Sequence, residues 1–183
     1  MKPEEWQIIA VAHRAARDEK IPYEWLLPIS VTERCVASND TDVFDIPYQC
    51  GILSAKEIFI TDSKDATSIL ENLANRQWSA KSVTVAFCKR AAIAQQVVNC
   101  LTEICFEQAR ERAIFLDDYL NREGKLFGPL HGLPISVKVK LRTMIVRSLL
   151  NNHRILTKSP IPMRLSEISH SSGMELRHTT PAW

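Results

Sequence analysis

The sequence lacks long apolar runs and carries little net charge. No stretch approaches the roughly 18 consecutive apolar residues of a membrane-spanning helix. The N-terminal segment of residues 1–6 is acidic and amphipathic, and it does not resemble the apolar core of a signal peptide. The formal net charge of +2 gives no reason to expect nucleic acid or an anionic membrane as partner. We therefore expect a protein without a membrane span, with the cytoplasm as its default location.

A metal-binding pattern of cysteine and histidine is also missing. The cysteines are odd in number and show neither Cys-x-x-Cys spacing nor a nearby pair of histidines, which argues against a zinc site. We interpret them as reduced thiols that lie mostly in the core: Cys35, Cys50, Cys88, Cys100 and Cys105. Four histidines have no metal-ligand spacing, and we expect each to be exposed to solvent: His131, His153, His170 and His178.

Charge divides unevenly between two parts of the chain. Residues 1–138 hold 16 Lys and Arg against 19 Asp and Glu, whereas residues 139–183 hold 7 against 2. In the second part the basic charges are interrupted by apolar residues and Trp183 is the sole aromatic residue, so we expect no nucleic-acid binding there. The reversal indicates that the character of the chain changes after Lys138.

The first 50 residues combine one helix with an irregular segment. Apolar residues at spacings of three and four predict an amphipathic helix over residues 3–20. Its core-facing stripe would be Trp6, Ile9, Ala10, His13 and Ala16. Three prolines and a polar run then predict a crossing segment over residues 22–47 in which no long regular element survives.

Capping residues and helical spacing predict further helices up to residue 123. We expect a helical turn over 54–58, a helix capped by Asp65 or a neighbouring residue, a helix with Ser79 as candidate cap that runs to about Gln95, and a helix over 106–123 that Gly124 ends. Residues 97–104 form a short stretch that is rich in β-branched and apolar residues, and we expect either a strand or an extended link there. Helix stripes of this kind establish a fold and indicate no ligand pocket.

The most informative stretch is Gly128-Pro129-Leu130-His131-Gly132-Leu133-Pro134-Ile135-Ser136-Val137-Lys138. Its first seven residues contain two glycines and two prolines. These residues fix a loop, and residues 133–138 are predicted as a strand with Lys138 at its exit. Strand ends present catalytic groups on rigid scaffolds, and a poorly solvated lysine can lose its proton near neutral pH and act as a general base. Spacing alone leaves open that Lys138 ends an edge strand in solvent.

This stretch resembles the amidase signature family, and the fungal acetamidases and general amidases in particular. Similar motifs extend the resemblance over residues 3–138: Ser54-Ala-Lys-Glu-Ile, Asp65-Ala-Thr-Ser-Ile-Leu-Glu, Trp78-Ser-Ala-Lys, Val85-Ala-Phe-Cys-Lys-Arg-Ala, Asn99-Cys-Leu-Thr-Glu and Ala109-Arg-Glu-Arg-Ala. It implies an α/β fold with a mixed sheet flanked by helices, of which this chain would be the mainly α-rich N-terminal part with one or two short strands. It also implies hydrolysis of small-molecule carboxylic amides without metal or organic cofactor.

Members of that family use a Ser-Ser-Lys triad, and Lys138 matches its lysine. One serine attacks the amide carbonyl, a second serine relays its proton, and the lysine is the final base. In the family an acidic residue and a Gly/Ser-rich stretch with both serines follow the lysine, whereas Val139 follows it here. We interpret Ser171-Ser172-Gly173 as a chance match. Lys138 is therefore the only residue to which we assign a catalytic role.

We expect three regions: an N-terminal helix and wrapping segment over 1–50, the N-terminal part of an amidase domain over 51–138, and an unrelated, disordered basic tail over 139–183. An altered reading frame, retained intron or misplaced splice junction near codon 139 would explain the tail. Such a truncated amidase would be inactive and would leave the apolar stripes of 66–73 and 109–120 partly uncovered. The alternative is a non-enzymatic helical protein that binds a partner or itself through those faces.

Overall fold

The computed structural model describes residues 4–37 and 42–136, which form seven α-helices and one 3₁₀ turn, with no strand among these residues. The helices are α1 (Glu5–Asp18), α2 (Ile29–Ala37), α3 (Ile46–Gln49), α4 (Ala55–Thr61), α5 (Ala66–Ala74), α6 (Ala80–Val98) and α7 (Phe106–Glu123), and the 3₁₀ turn spans Tyr23–Trp25. The expected α-rich character is confirmed for this part of the chain. No helix within it combines the length and apolar character needed to cross a membrane.

Local capping sets the boundaries of α4 to α7. Ser54, Asp65 and Ser79 begin α4, α5 and α6, and each side chain accepts the backbone N–H of the residue three positions later. Gly124 ends α7 with a φ of +68°, a left-handed conformation that glycine adopts without steric cost. The capping predictions for Asp65, Ser79 and Gly124 are confirmed, and the turn expected over 54–58 extends to the seven-residue helix α4.

Helix α6 contributes to all three core clusters of the described residues. The first cluster joins α4, α5, α6 and α7: Ile60, Ile69, Leu73, Trp78, Ala80, Val83, Ala86, Ala113 and Leu116. The second contains Leu27, Ile46, Leu53 and Ile93, and the third contains Ile21, Ala92 and Ile104. Because residues of α6 occur in each of these clusters, this helix is the centre of the packing among the described residues.

The apolar stripes of α5 and α7 are largely, but not fully, covered within this part of the chain. Ile69 and Leu73 of α5 and Ala113 and Leu116 of α7 are buried in the first cluster. The expectation that these stripes would be partly uncovered is wrong for these four side chains, because they pack together with residues of α4 and α6. It agrees with the rest of the stripes, since Ala66 is exposed and Leu70 and Ala109 are half-buried.

Helix α1 forms where the sequence predicts it, but its apolar stripe does not face the core. Trp6 and Ile9 are 62% and 63% exposed, whereas Arg17 is only 7% exposed. The Arg17 guanidinium donates a 2.8 Å hydrogen bond to the Leu101 carbonyl and pairs with Asp18. A polar contact at the C-terminal end therefore attaches α1 to the connection after α6, and the predicted orientation of the stripe is wrong.

The segment of residues 22–47 contains more helix than its prolines suggest. Pro28 lies directly before α2, whose first-turn N–H groups bond to its carbonyl, and Pro47 lies in the first turn of α3. Proline is well tolerated there because the first N–H groups of a helix have no partner within it. The prediction that no long regular element survives is wrong, since α2 has nine residues.

Two predicted strand positions have other conformations. Val97 and Val98 form the end of α6, and residues 99–105 are an irregular connection, which agrees with the extended-link alternative for most of 97–104. Residues 133–136 have no regular secondary structure, so the predicted strand is absent from its described part. Residues 137 and 138 lie outside the described residues.

The cysteines are free thiols that differ in burial. Cys88 is buried, Cys35 and Cys50 are half-buried, and Cys100 and Cys105 are exposed. Burial raises the pKa of the Cys88 thiol to about 11. Cys35 and Cys50 pack against the second core cluster, so the expectation of core cysteines is wrong only for Cys100 and Cys105.

Candidate active-site loop

The loop before Lys138 lies against the helical core. Two consecutive turns shape it: the His131 N–H donates to the Gly128 carbonyl at 3.1 Å, and the Leu133 N–H donates to the Leu130 carbonyl at 3.2 Å. Leu133 then packs against the first core cluster. The rigid loop predicted from the glycines and prolines is consistent with these turns, and the core holds its far end in place.

Gly132 makes the closest approach between this loop and the helices. Its φ is +75°, and a Cβ at this position would lie 2.8 Å from the Ala80 Cβ and 3.2 Å from the Leu73 Cδ2. Both the backbone conformation and the space require glycine. The loop therefore contacts the start of α6 and the end of α5 more closely than any side chain would permit.

His131 is buried, which corrects the expectation of solvent exposure. Only 4% of the residue is exposed, and its Nδ1 accepts a 3.1 Å hydrogen bond from the Phe127 N–H. Burial lowers the pKa of His131, the Asp117 carboxylate opposes this shift, and the Arg112 guanidinium adds to it. The neutral imidazole is the form that this site favours, because an unprotonated Nδ1 is needed to accept the bond.

Asp117 of α7 joins this helix to the start of α6. Its two carboxylate oxygens accept the N–H groups of Ala80 and Lys81 at 2.7 and 2.9 Å. These are among the first N–H groups of α6, which have no partner within the helix and attract negative charge. The bonds fix the helix end that Gly132 contacts.

Arg112 lies in an aromatic cluster below the loop. Its guanidinium carbon is 4.8 Å from the ring centres of both Phe115 and Phe127, a cation–π geometry. The Phe127 ring also makes an edge contact with Tyr119 at 5.0 Å, and burial lowers the pKa of Arg112. Phe127 is thus fixed by its ring as well as by its N–H group.

Lys138, the one residue with a predicted catalytic role, lies outside the described residues, and so do His153, His170 and His178. What the structure brings together is the loop that leads to Lys138 and the α7 side chains Asp117 and Arg112. Sequence reasoning missed His131, Gly132 and Asp117 as supports of that loop. The position of His131 and Gly132 inside the Gly/Pro motif was a signal that could have pointed to both residues. No pattern in the residues around Asp117 indicated its role.

A shallow cavity lies between the starts of α4 and α6. It has a volume of about 300 Å³ and is lined in part by Ser54, Glu57 and Ser79. Burial opposes ionisation of Glu57, but hydrogen bonds from Lys89 and Ser54 outweigh it and hold the Glu57 pKa below its ordinary value. Since these bonds already occupy the carboxylate, we interpret the pair as structural.

Within residues 4–37 and 42–136, no three His, Cys, Asp or Glu side chains are grouped so that they could hold a metal ion. The polar groups of the loop region instead bond to the backbone of the chain itself. These hydrogen bonds hold the loop and the start of α6 in position.

A comparison with known protein families identifies one that matches this chain. The Amidase family model matches residues 82–150, which include most of α6, all of α7 and the whole loop. The match extends 12 residues beyond Lys138, farther than the resemblance read from the motifs.

The relatives include fungal amidases. The chain is 44% identical over 133 residues to "Amidase" of Gibberella moniliformis and 43% identical over 137 residues to "Acetamidase" of Aspergillus oryzae. These alignments cover 73% and 75% of this chain but only 25% and 24% of the relatives. This chain therefore spans about a quarter of the length of the curated relatives it matches.

A solved structure has a similar arrangement of helices. The chain superimposes on "Fatty acid amide hydrolase" with a TM-score of 0.66 and 29% sequence identity, over 74% of this chain and 24% of that one. Family model, fungal relatives and solved structure all concern the helical region and the loop described above. They show that this chain contains part of an Amidase family domain.

Proposed function

We propose that this chain is the lysine-bearing part of an enzyme that hydrolyses carboxylic amides to acid and ammonia. Lys138 would be the base of a Ser-Ser-Lys mechanism whose two serines the 183-residue sequence does not supply. The observation that supports this most is the loop of residues 128–136, which is fastened to the core and leads directly to Lys138. The relatives named amidase and acetamidase support the same reaction class.

The acidity of the serine hydroxyl and of the lysine ammonium explains these roles. A serine hydroxyl is a weak nucleophile until a neighbouring base takes its proton. A lysine that water solvates poorly can be neutral and act as that base. Without the two serines of the triad, Lys138 has no nucleophile of this mechanism to activate, so we expect the chain by itself to have no amidase activity.

A chimaera tests the proposed role of Lys138. Residues 1–138 would replace the matching segment of the Aspergillus oryzae acetamidase, and ammonia release from acetamide would be measured. We expect an active chimaera in which Lys138→Ala lowers kcat by about 100-fold or more, while the exposed control Lys125→Ala leaves kcat unchanged.

Two results would contradict the proposal. One is a chimaera in which Lys138→Ala retains full activity. The other is ammonia release by the 183-residue chain alone that Lys138→Ala abolishes, since the chain would then supply its own nucleophile. Transcript sequencing across the codons for Lys138, Val139 and Lys140 would show whether the natural transcript encodes a Gly/Ser-rich segment after Lys138.

A self-associating helical protein is the second candidate, favoured by the exposed apolar side chains of α1. Trp6, Ile8, Ile9 and Val11 are each more than half exposed. Because they lie on more than one side of the helix, a second copy of the chain could bury only part of them. A discrete dimer in size-exclusion chromatography would favour this candidate, and a monomer would count against it.

A further inference from the structure

The backbone and the side chain of His131 both close the loop of the Gly/Pro motif. Its N–H donates to the Gly128 carbonyl at 3.1 Å, and its Nδ1 accepts the Phe127 N–H at 3.1 Å. The two bonds tie residues 127–131 into one closed unit. Since Nδ1 is the acceptor, the proton of the neutral ring must be on Nε2.

The residues after His131 transmit this closure to the rest of the loop. Gly132 lies against Ala80 and Leu73 with no space for a Cβ, and Leu133 packs on the first core cluster. Ile135 and Ser136 are exposed again. The direction in which the chain leaves the core is therefore set at residues 131–133, five to seven residues before Lys138.

We propose that His131 is a positioning residue for the loop that precedes Lys138: its neutral imidazole holds the loop closed and thereby fixes the direction in which residues 133–136 leave the core. This inference rests on the proposed function only for the importance of Lys138. The closure itself concerns the described residues alone.

Protonation would open this closure. A proton on Nδ1 removes the acceptor for the Phe127 N–H and places a cation in a buried site. Two charged groups, both on α7, act on the ring: the Asp117 carboxylate, which would stabilise the cation, and the Arg112 guanidinium, which would repel it. Because the pKa of His131 lies below its ordinary value of 6.5, the loop stays closed at neutral pH and opens in more acidic solution.

Nuclear magnetic resonance on the ¹⁵N-labelled 183-residue chain tests the proposal. Hydrogen exchange at the Phe127 amide and the resonance of the Lys138 amide would be followed for the natural chain, for His131→Leu, and for His131→Asn, whose Oδ1 replaces the Nδ1 acceptor. We expect His131→Leu to speed Phe127 exchange about fivefold or more and to shift Lys138, and His131→Asn to restore both.

A pH titration of the natural chain gives an independent readout. The Lys138 resonance should move together with the His131 imidazole signals as the pH falls through the pKa of His131. This movement should be absent in His131→Asn and retained in His13→Asn, which removes an exposed histidine. The titration decides the matter even if His131→Leu does not fold.

The proposal is overturned if Phe127 exchanges as fast in the natural chain as in His131→Leu, or if Lys138 does not respond to the His131 titration. Failure of the proposed function looks different. In that case the Lys138 amide still follows His131, while Lys138→Ala leaves the activity of the acetamidase chimaera intact.

Discussion

Gly132 is the residue at which the loop and the helices come closest. Two separate requirements meet there, because the backbone has a φ of +75° and the Ala80 Cβ occupies the space of a side chain. Gly124 offers a natural comparison: it has a similar φ of +68°, but a Cβ at that position would have nothing within 4 Å. The pair separates the cost of backbone conformation from the cost of crowding.

We expect Gly132→Ala to lower the free energy of unfolding by about 2–4 kcal/mol, because a left-handed conformation costs roughly 1–2 kcal/mol and crowding of the core about as much again. Gly124→Ala should cost only the first part, about 1–2 kcal/mol. Urea denaturation followed by circular dichroism measures both values. Equal costs for the two variants would show that Gly132 does not press against α6.

At the scale of elements, the pairing of α6 with α7 depends on a polar contact as well as on the core. Asp117 accepts two N–H groups at the start of α6, at 2.7 and 2.9 Å. The same helix end carries Ala80, against which Gly132 lies. Position and stability of the loop should therefore both respond to a change on α7.

The Asp117→Ala variant should lower the free energy of unfolding by about 2–3 kcal/mol, since it removes charge-assisted bonds to two helix N–H groups. Asp117→Asn, which keeps one acceptor oxygen, should cost less. The exposed neighbour gives the control, and Asp118→Ala should stay within about 0.5 kcal/mol. If Asp117→Ala behaves like Asp118→Ala in urea denaturation, the contact does not stabilise the pairing.

At the scale of the whole molecule, the three core clusters of residues 4–37 and 42–136 share α6. The first contains Val83 and Ala86, the second Ile93 and the third Ala92. Loss of packing in one cluster therefore weakens the helix on which the other two depend. We expect these residues to unfold in one cooperative transition.

Ile93→Ala tests this cooperativity, because Ile93 is only 1% exposed and packs in the second cluster. The cost should be about 2–5 kcal/mol, and tryptophan fluorescence and circular dichroism should report the same lowered midpoint. Ile8→Ala makes the same chemical change at a side chain that is 57% exposed, and we expect an effect within about 0.5 kcal/mol. Separate midpoints for the two probes would mean that the clusters unfold independently.

The sequence by itself determined the features that depend on neighbouring residues. Asp65 and Ser79 begin their helices, and Gly124 ends α7, because each cap joins groups only three or four positions apart. The Gly/Pro motif likewise specified a loop, since its restrictions are those of single residues. The motifs also identified the family, which the relatives confirm.

Only the tertiary structure decided which surfaces are buried. The orientation of α1 depends on the bond from Arg17 to the Leu101 carbonyl, 84 positions away, and no periodicity within α1 contains that contact. The site of His131 depends in the same way on residues distant along the chain: Asp117 and Arg112 of α7 act on its ring, and the adjacent Gly132 lies against Ala80 and Leu73. Capping energies are local and can be read from short stretches, whereas burial arises from residues that only the completed fold brings together.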